Sequence, residues 1–99
     1  MTHPFTGQIT IPKAAQAVRG PPVDGGTFVF KRHPKNKGRF IIIGKDPGVS
    51  EDSGFVLEGS DQITMILTNL DKLWFRADRN GDRVMWVRTE NSERIYATI

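Results

Sequence analysis

The sequence predicts an all-β fold, a compact β-sandwich or jelly-roll-like barrel of about eight short antiparallel strands with an N-terminal arm. Three observations predict it. Ile (nine) and Val (seven) outnumber Leu (four) and Ala (five), a bias toward side chains that suit a pleated, half-buried surface. Ten glycines and six prolines cut any helical pattern into short pieces. From Thr27 onward, short alternating runs recur with turn signals between them. Ninety-nine residues make a single domain; a chain of this size needs neither disulfide nor metal to fold.

Within that domain, residues 1–26 read as a partly extended arm and residues 27–99 as the sandwich core. The arm opens on a possible strand, Gln8 to Ile11, and continues through Pro12, an Ala-rich patch, Gly20-Pro21-Pro22 and Asp24-Gly25-Gly26. Ile11, Ala14, Ala15 and Val18 have helical spacing, but the flanking prolines leave room for barely two turns, so residues 13–19 are either a short helix or extended. Phe5, Ile9 and Ile11 need cover, so the arm is expected to lie over the outer face of its own sheet or on a neighbouring subunit. A chain lacking residues 1–12 would then still fold.

In the core, Thr27–Arg32 alternates and puts Phe28 and Phe30 on one face. A loop, His33 to Gly38, leads to the strand Arg39–Gly44, and Asp46-Pro47-Gly48 makes the next turn. Phe40 and Ile42 of that strand point one way, Ile41 and Ile43 the other, so both of its faces need covering. The expected covers are the N-terminal arm or another subunit. Gly54–Leu57 is a short strand, and Gln62–Thr68 alternates with Ile63, Met65 and Leu67 on one side. Asn80-Gly81 is the strongest two-residue hairpin signal, because a type I′ turn needs positive φ at both positions. Placed at a hairpin tip, it pairs Phe75 with Trp86, Ala77 with Val84, Trp74 with Val87 and Arg76 with Met85. Leu73, Phe75, Ala77, Val84 and Trp86 then face the core. Trp74, Met85 and Val87 form an outward apolar patch rimmed by Lys72, Arg76 and Arg83.

The same residues exclude several chemistries. With no cysteine there is no disulfide scaffold, thiolate metal site or cysteine nucleophile. The longest apolar run, Phe40 to Ile43, is far short of a membrane span, and the N-terminus lacks the pattern of a signal peptide; a soluble protein made in a cytoplasm is expected. His3 and His33 each precede a proline in predicted loops. None of Ser50, Ser53, Ser60 and Ser92 sits in a nucleophile elbow. Gly44-Lys45 lacks the rest of a phosphate loop, and the acids from Asp78 to Asp82 lack the spacing of a calcium loop. No catalytic, cofactor or metal site is expected.

Charge is distributed unevenly. Residues 1–45 hold eight basic residues and one acid, and residues 46–99 hold six basic residues and ten acids. Lys31, Arg32, Lys35, Lys37 and Arg39 are the densest basic cluster. Such asymmetry suits a head-to-tail contact between copies of the chain or a polyanion site. Phe28, Phe30 and Phe40 beside the cluster offer the alternative of a small β-barrel that binds nucleic acid, but β alternation assigns those rings to the core, and single-strand binders stack bases on exposed rings.

Residues 28 to 88 present an ordered set of motifs: Pro34-x-Asn36-x-Gly38, Ile41-Ile42-Ile43-Gly44, Ser53-Gly54-Phe55-x-Leu57-x-Gly59, Asn69-Leu70-x-x-Leu73-Trp74-Phe75-x-Ala77, Gly81 and Trp86-Val87. Over about two-thirds of the chain this set resembles small tailed-bacteriophage virion proteins of the head-decoration, head-fibre-base and head–tail collar type. The resemblance implies a non-enzymatic β-sandwich subunit, located in the virion after assembly in the host cytoplasm. Its partners would be other copies of itself in a homo-oligomer and other virion proteins (capsid, portal or connector), with no cofactor, small-molecule substrate, nucleic acid or membrane. Lys31, Arg32, Lys35, Lys37, Arg76 and Arg83 depart from the pattern, standing where such proteins often carry small neutral residues. The expected protein interface comprises Phe5, Ile9, Ile11, the cluster from Lys31 to Arg39, and the Trp74, Arg76, Met85 and Val87 patch.

Overall fold

Alternate side chains of a strand point to opposite faces, and the computed structural model, which describes residues 5–89, sorts them into two stacked antiparallel sheets. The strands are β1 (Thr6–Thr10), β2 (Val18–Arg19), β3 (Asp24–Arg32), β4 (Phe40–Gly44), β5 (Phe55–Glu58), β6 (Gln62–Asn69), β7 (Trp74–Ala77) and β8 (Arg83–Thr89). The front sheet has the order β1-β8-β3-β6 and the back sheet β2-β7-β4-β5. The protein is an all-β sandwich. His3 and Ser92 lie outside the described residues.

Phe28 and Phe30 of β3 and Val84 and Trp86 of β8 project from the front sheet, and Ile41, Ile43, Leu57 and Phe75 meet them from the back. A row of rings runs through this core: Phe75 to Phe30 at 5.6 Å between centroids, Phe30 to Phe28 at 6.1 Å, and Phe28 to Trp86 at 5.8 Å. At one end Arg88 is buried, its Nε donating to the carbonyl of Asp24 (2.8 Å) and its Nη2 to that of Gly25 (3.0 Å).

The Asn80-Gly81 hairpin does not form. β7 lies in the back sheet and β8 in the front, so Trp86 is paired with Phe30 and Gly7, and Phe75 with Ile43 and Val18. The expected core face is nonetheless buried, because Leu73, Phe75, Ala77, Val84 and Trp86 point inward from opposite sheets. Gly81 has a φ of 81° but Asn80 is not in the left-handed region, so the type I′ geometry is absent. The turn's polar groups serve other segments. Asn80 Oδ1 accepts the Ala14 N–H (2.8 Å), and the Gly81 N–H donates to the Ile11 carbonyl (2.8 Å).

Asp82 completes this corner. It is 4% exposed, and its carboxylate accepts the N–H groups of Lys37 (2.9 Å) and Gly38 (2.8 Å) while its carbonyl accepts that of Ile11 (2.9 Å). Asn36 adds a two-way clasp: its Nδ2 donates to the Arg83 carbonyl and its Oδ1 accepts the Arg83 N–H, each at 2.7 Å. The β3–β4 loop and the chain after β1 are thus fastened to one five-residue turn.

Two further expectations change. The N-terminal segment divides: its first part is a sheet strand rather than an arm, while the chain around Ala14 lies against the outer face of the back sheet, as expected of the arm. β1 pairs with β8 along its whole length, and Ile9 and Ile11 are core residues. Residues 13–19 form a single turn, closed by the Gln16 N–H on the Lys13 carbonyl (3.1 Å), and then enter β2; they are not helical. The second face of β4 is covered in part by that segment, as expected, and in part by the β4–β5 loop. Val49 of that loop seats against Gly44 and, with Ile42, around Gly54; it can do so because Gly44 lacks a side chain whose Cβ would collide with Val49 Cγ2.

Replacing Asp82 with Ala strands two N–H groups and is expected to cost about 2–4 kcal/mol, read as a lower urea midpoint; Asp82→Asn, which keeps one acceptor oxygen, should lose less. Deleting residues 1–12 removes Ile9, Ile11 and an entire strand, so the truncated chain should show no cooperative unfolding transition in far-UV circular dichroism.

Candidate interaction surface

The two sheets differ in what lies on their outer faces. On the back sheet, Trp74 and Arg76 of β7 and Phe40 and Ile42 of β4 point away from the core. Arg76 fastens two covering segments, its Nε donating to the Ala14 carbonyl (3.2 Å) and its Nη1 to the Val49 carbonyl (3.3 Å). Trp74 is half-buried, in register with Arg19 and Gly44.

No described segment crosses the front sheet's outer face. Its cross-strand rows run Thr6–Val87–Val29–Thr64, Gln8–Met85–Lys31–Gln62 and Thr89–Thr27–Ile66, with Thr10 beside Arg83 and Thr68 completing β6. Among the described residues Lys31 and Arg83 are its two charged side chains, in a chain that is one-quarter charged. Ile66 is 67% exposed and Val87 50%, with half-buried Val29 between them and half-buried Met85 one row beyond Val87. Such a flat threonine and aliphatic face suits contact with another protein surface, because little charge must be desolvated.

The expected interface residues are therefore dispersed. Trp74 and Arg76 are on the back, Met85 and Val87 on the front, and the single patch drawn from the hairpin register does not exist. Ile9 and Ile11 are buried in the core and unavailable to a partner. Phe5 remains half exposed, with its ring 5.9 Å from the Arg88 guanidinium carbon and its carbonyl accepting the Arg88 N–H (2.6 Å). Two residues outside the expected set, Ile66 and Val29, join Val87 on the front face. For Ile66 the signal in the sequence was the uncharged run from Gln62 to Asn69, and for Val29 the alternation of Thr27–Arg32 that turns Phe28 and Phe30 the other way.

The basic cluster is also divided. Arg32 donates to the carbonyls of Gly59 (3.1 Å) and Gly38, tying the β3–β4 loop to the β5–β6 turn. Lys31 faces out from the front sheet, while Lys35, Lys37 and Arg39 are exposed on the loop. A shallow depression beside Arg32 and Arg39 is lined equally by Glu51, Asp52 and Glu58, so the surface there is mixed in sign. Phe28 and Phe30 are wholly buried and present no ring for stacking. Phe40, expected in the core, is instead half-buried on the outer face of the back sheet and lines this depression, because it shares the outward face of β4 with Ile42. Among the described residues no helix is long and apolar enough to cross a membrane, and no three His, Asp or Glu side chains gather as metal ligands.

Comparison of the chain with known protein families, with curated proteins and with solved structures finds no match.

His33 sits in the same loop, its Nδ1 accepting the Lys35 N–H (3.0 Å). Lost hydration, with the charges of Arg83 and Lys35 nearby, holds the imidazole below its usual pKa of 6.5. Above that pH the ring is neutral folded and unfolded, and it adds no pH dependence. Below it the unfolded chain binds the proton more readily, so stability falls until the folded-state pKa is passed. His33→Asn keeps an acceptor for the Lys35 N–H and cannot titrate. Its thermal midpoint should decline less than the parent's when the pH is lowered from neutral into this window; equal declines would exclude the coupling.

Proposed function

We propose that this chain is a non-enzymatic structural subunit of a tailed-phage virion, a collar or capsid-decoration protein that acts by symmetric protein–protein assembly. The observation that carries the reading is the bare front face. The back sheet is covered by segments of its own chain, whereas the front sheet presents Ile66, Val87, Val29 and Met85 among threonines, with two charges among the described residues of that face. Threonine and aliphatic side chains have no nucleophile–base partnership to offer a substrate, but they pack closely against a second protein surface. The motif set of residues 28–88 supplies the virion setting for that assembly.

Nucleic-acid binding through Lys31, Arg32, Lys35, Lys37 and Arg39 is disfavoured by the use of Arg32 as an internal clasp and by the acids beside Arg39. Virion partners would be capsid, portal or connector proteins, met through the same face.

Val87→Lys tests the reading. The site is half exposed, so the monomer's thermal midpoint should stay within about 0.5 kcal/mol of the parent's stability. Species larger than a dimer, followed by light scattering at micromolar concentration, should disappear. A parent chain that forms no such species would overturn the assembly reading, and tight, salt-dependent oligonucleotide binding by the parent would replace it with the nucleic-acid one.

A further inference from the structure

Edge strands of sandwiches are normally guarded by lysine, proline, a bulge or short length, because their unpaired N–H and C=O groups template pairing with another chain. β6 has none of these guards. It runs eight residues, Gln62-Ile-Thr-Met-Ile-Leu-Thr-Asn69, without a charge or proline. Its register with β3 advances without a slip, and among the described residues it pairs with β3 alone.

The backbone groups at that edge can be assigned. The His33 N–H donates to the Arg83 carbonyl (3.1 Å), which turns the odd-numbered residues of β3 toward β8. By antiparallel alternation Phe28 and Phe30 face β6, where they meet Met65 and Ile63. The N–H and C=O groups of Thr64 and Ile66 therefore point at the free edge. Behind the edge, between β6 and the β4–β5 connection, lies a mainly apolar groove of about 560 Å³, to which Lys45, Asp46 and Ser53 also contribute. Ile63, Met65 and Leu67 line it half-buried, and Phe55, 60% exposed, stands at its side.

We infer that β6 is the strand by which two copies of this chain pair, antiparallel about a two-fold axis through Met65, joining the front sheets into one continuous sheet. The occupant is a second copy because the strand is complementary to itself in this register. Ile63 lies opposite the partner copy's Leu67, Met65 opposite its own equivalent, and Thr64 opposite Ile66, so the groove side of the paired strands is apolar throughout and the hydrogen-bonding pairs are those whose groups are free. Asp61, the acid immediately before the strand, lies opposite Asn69. No like charges meet along the strand, and like charges directly opposite are what ordinarily oppose self-pairing. The contact is isologous and closes at two. This inference rests on the assembly reading above and names one of its contacts.

The chain has no cysteine, so a single introduced thiol reports the register. Opposed residues of a non-hydrogen-bonded antiparallel pair have Cα atoms about 4.5 Å apart, within the range a disulfide spans. Met65→Cys should therefore crosslink to a dimer under mild oxidation. Ile63→Cys alone should not, since its own equivalent lies about 13 Å away along the strand, but mixed with Leu67→Cys it should form the heterologous crosslink. Ile66→Lys, on a side chain that is mostly exposed, should keep the monomer's thermal midpoint and raise the dimer dissociation constant by about tenfold or more.

A parent that stays monomeric in sedimentation equilibrium overturns the inference, as it would if residues 90–99 of the same chain took the edge. So does crosslinking that is equal at positions 63 and 65. Larger species that depend on Val87 but show no Met65→Cys crosslink would overturn the strand pairing while leaving the assembly reading intact.

Discussion

The architecture depends on a buried carboxylate. Asp82 sits where the chain crosses from the back sheet to the front, and its oxygens accept the N–H groups of Lys37 and Gly38. A carboxylate withdrawn from water is tolerated only when its lone pairs are filled, so the corner and the β3–β4 loop must form together. The Asp82 carbonyl holds Ile11, the Gly81 N–H holds Ile11 from the other side, and Asn36 clasps Arg83. Three segments far apart in sequence are joined at one end of the sandwich, and the row of rings from Phe75 to Trp86 fills the space between the sheets.

That corner also explains why the two outer faces differ. It draws residues 11–16 across to the back sheet, where Arg76 can reach the Ala14 carbonyl, and the β4–β5 loop seats Val49 against Gly44 beside it. The chain's spare segments are thereby used on one face. The front sheet has β1 as a paired strand rather than a cover, so its threonine and aliphatic face meets solvent. Among the described residues no further element is left to cover it. The proposed assembly would use this surface, and β6, at the margin of the same sheet, carries a backbone edge continuous with it.

Much of the fold was legible in the sequence because β alternation is local. Which side chains of 28–30, 41–43, 63–67 and 84–86 point inward follows from a two-residue period, and these are the residues that form the core or pack against it. The need to cover both faces of Phe40–Gly44 was equally readable, since three consecutive isoleucines cannot be half solvated. The candidate surface was only partly legible: Val87 and Met85 were foreseen as outward-facing, but Ile66 and Val29 were not.

What the sequence by itself determined is the class of fold, its inward-facing set and the places where the chain turns. What only the tertiary structure decided is which strands lie side by side. The chain changes sheet at nearly every connection, and β4–β5 is the one pair of consecutive strands that are hydrogen-bonded neighbours. Inward-pointing residues before and after a turn satisfy a hairpin and a crossover equally, so the alternation around Asn80-Gly81 could not distinguish them. The choice was made by contacts remote in sequence: Asn80 with Ala14, Gly81 with Ile11, and Asp82 with Lys37 and Gly38. These hydrogen bonds exist only once the sandwich has closed, which is why a hairpin register puts Trp74 beside Val87 whereas the two lie on opposite faces of the protein.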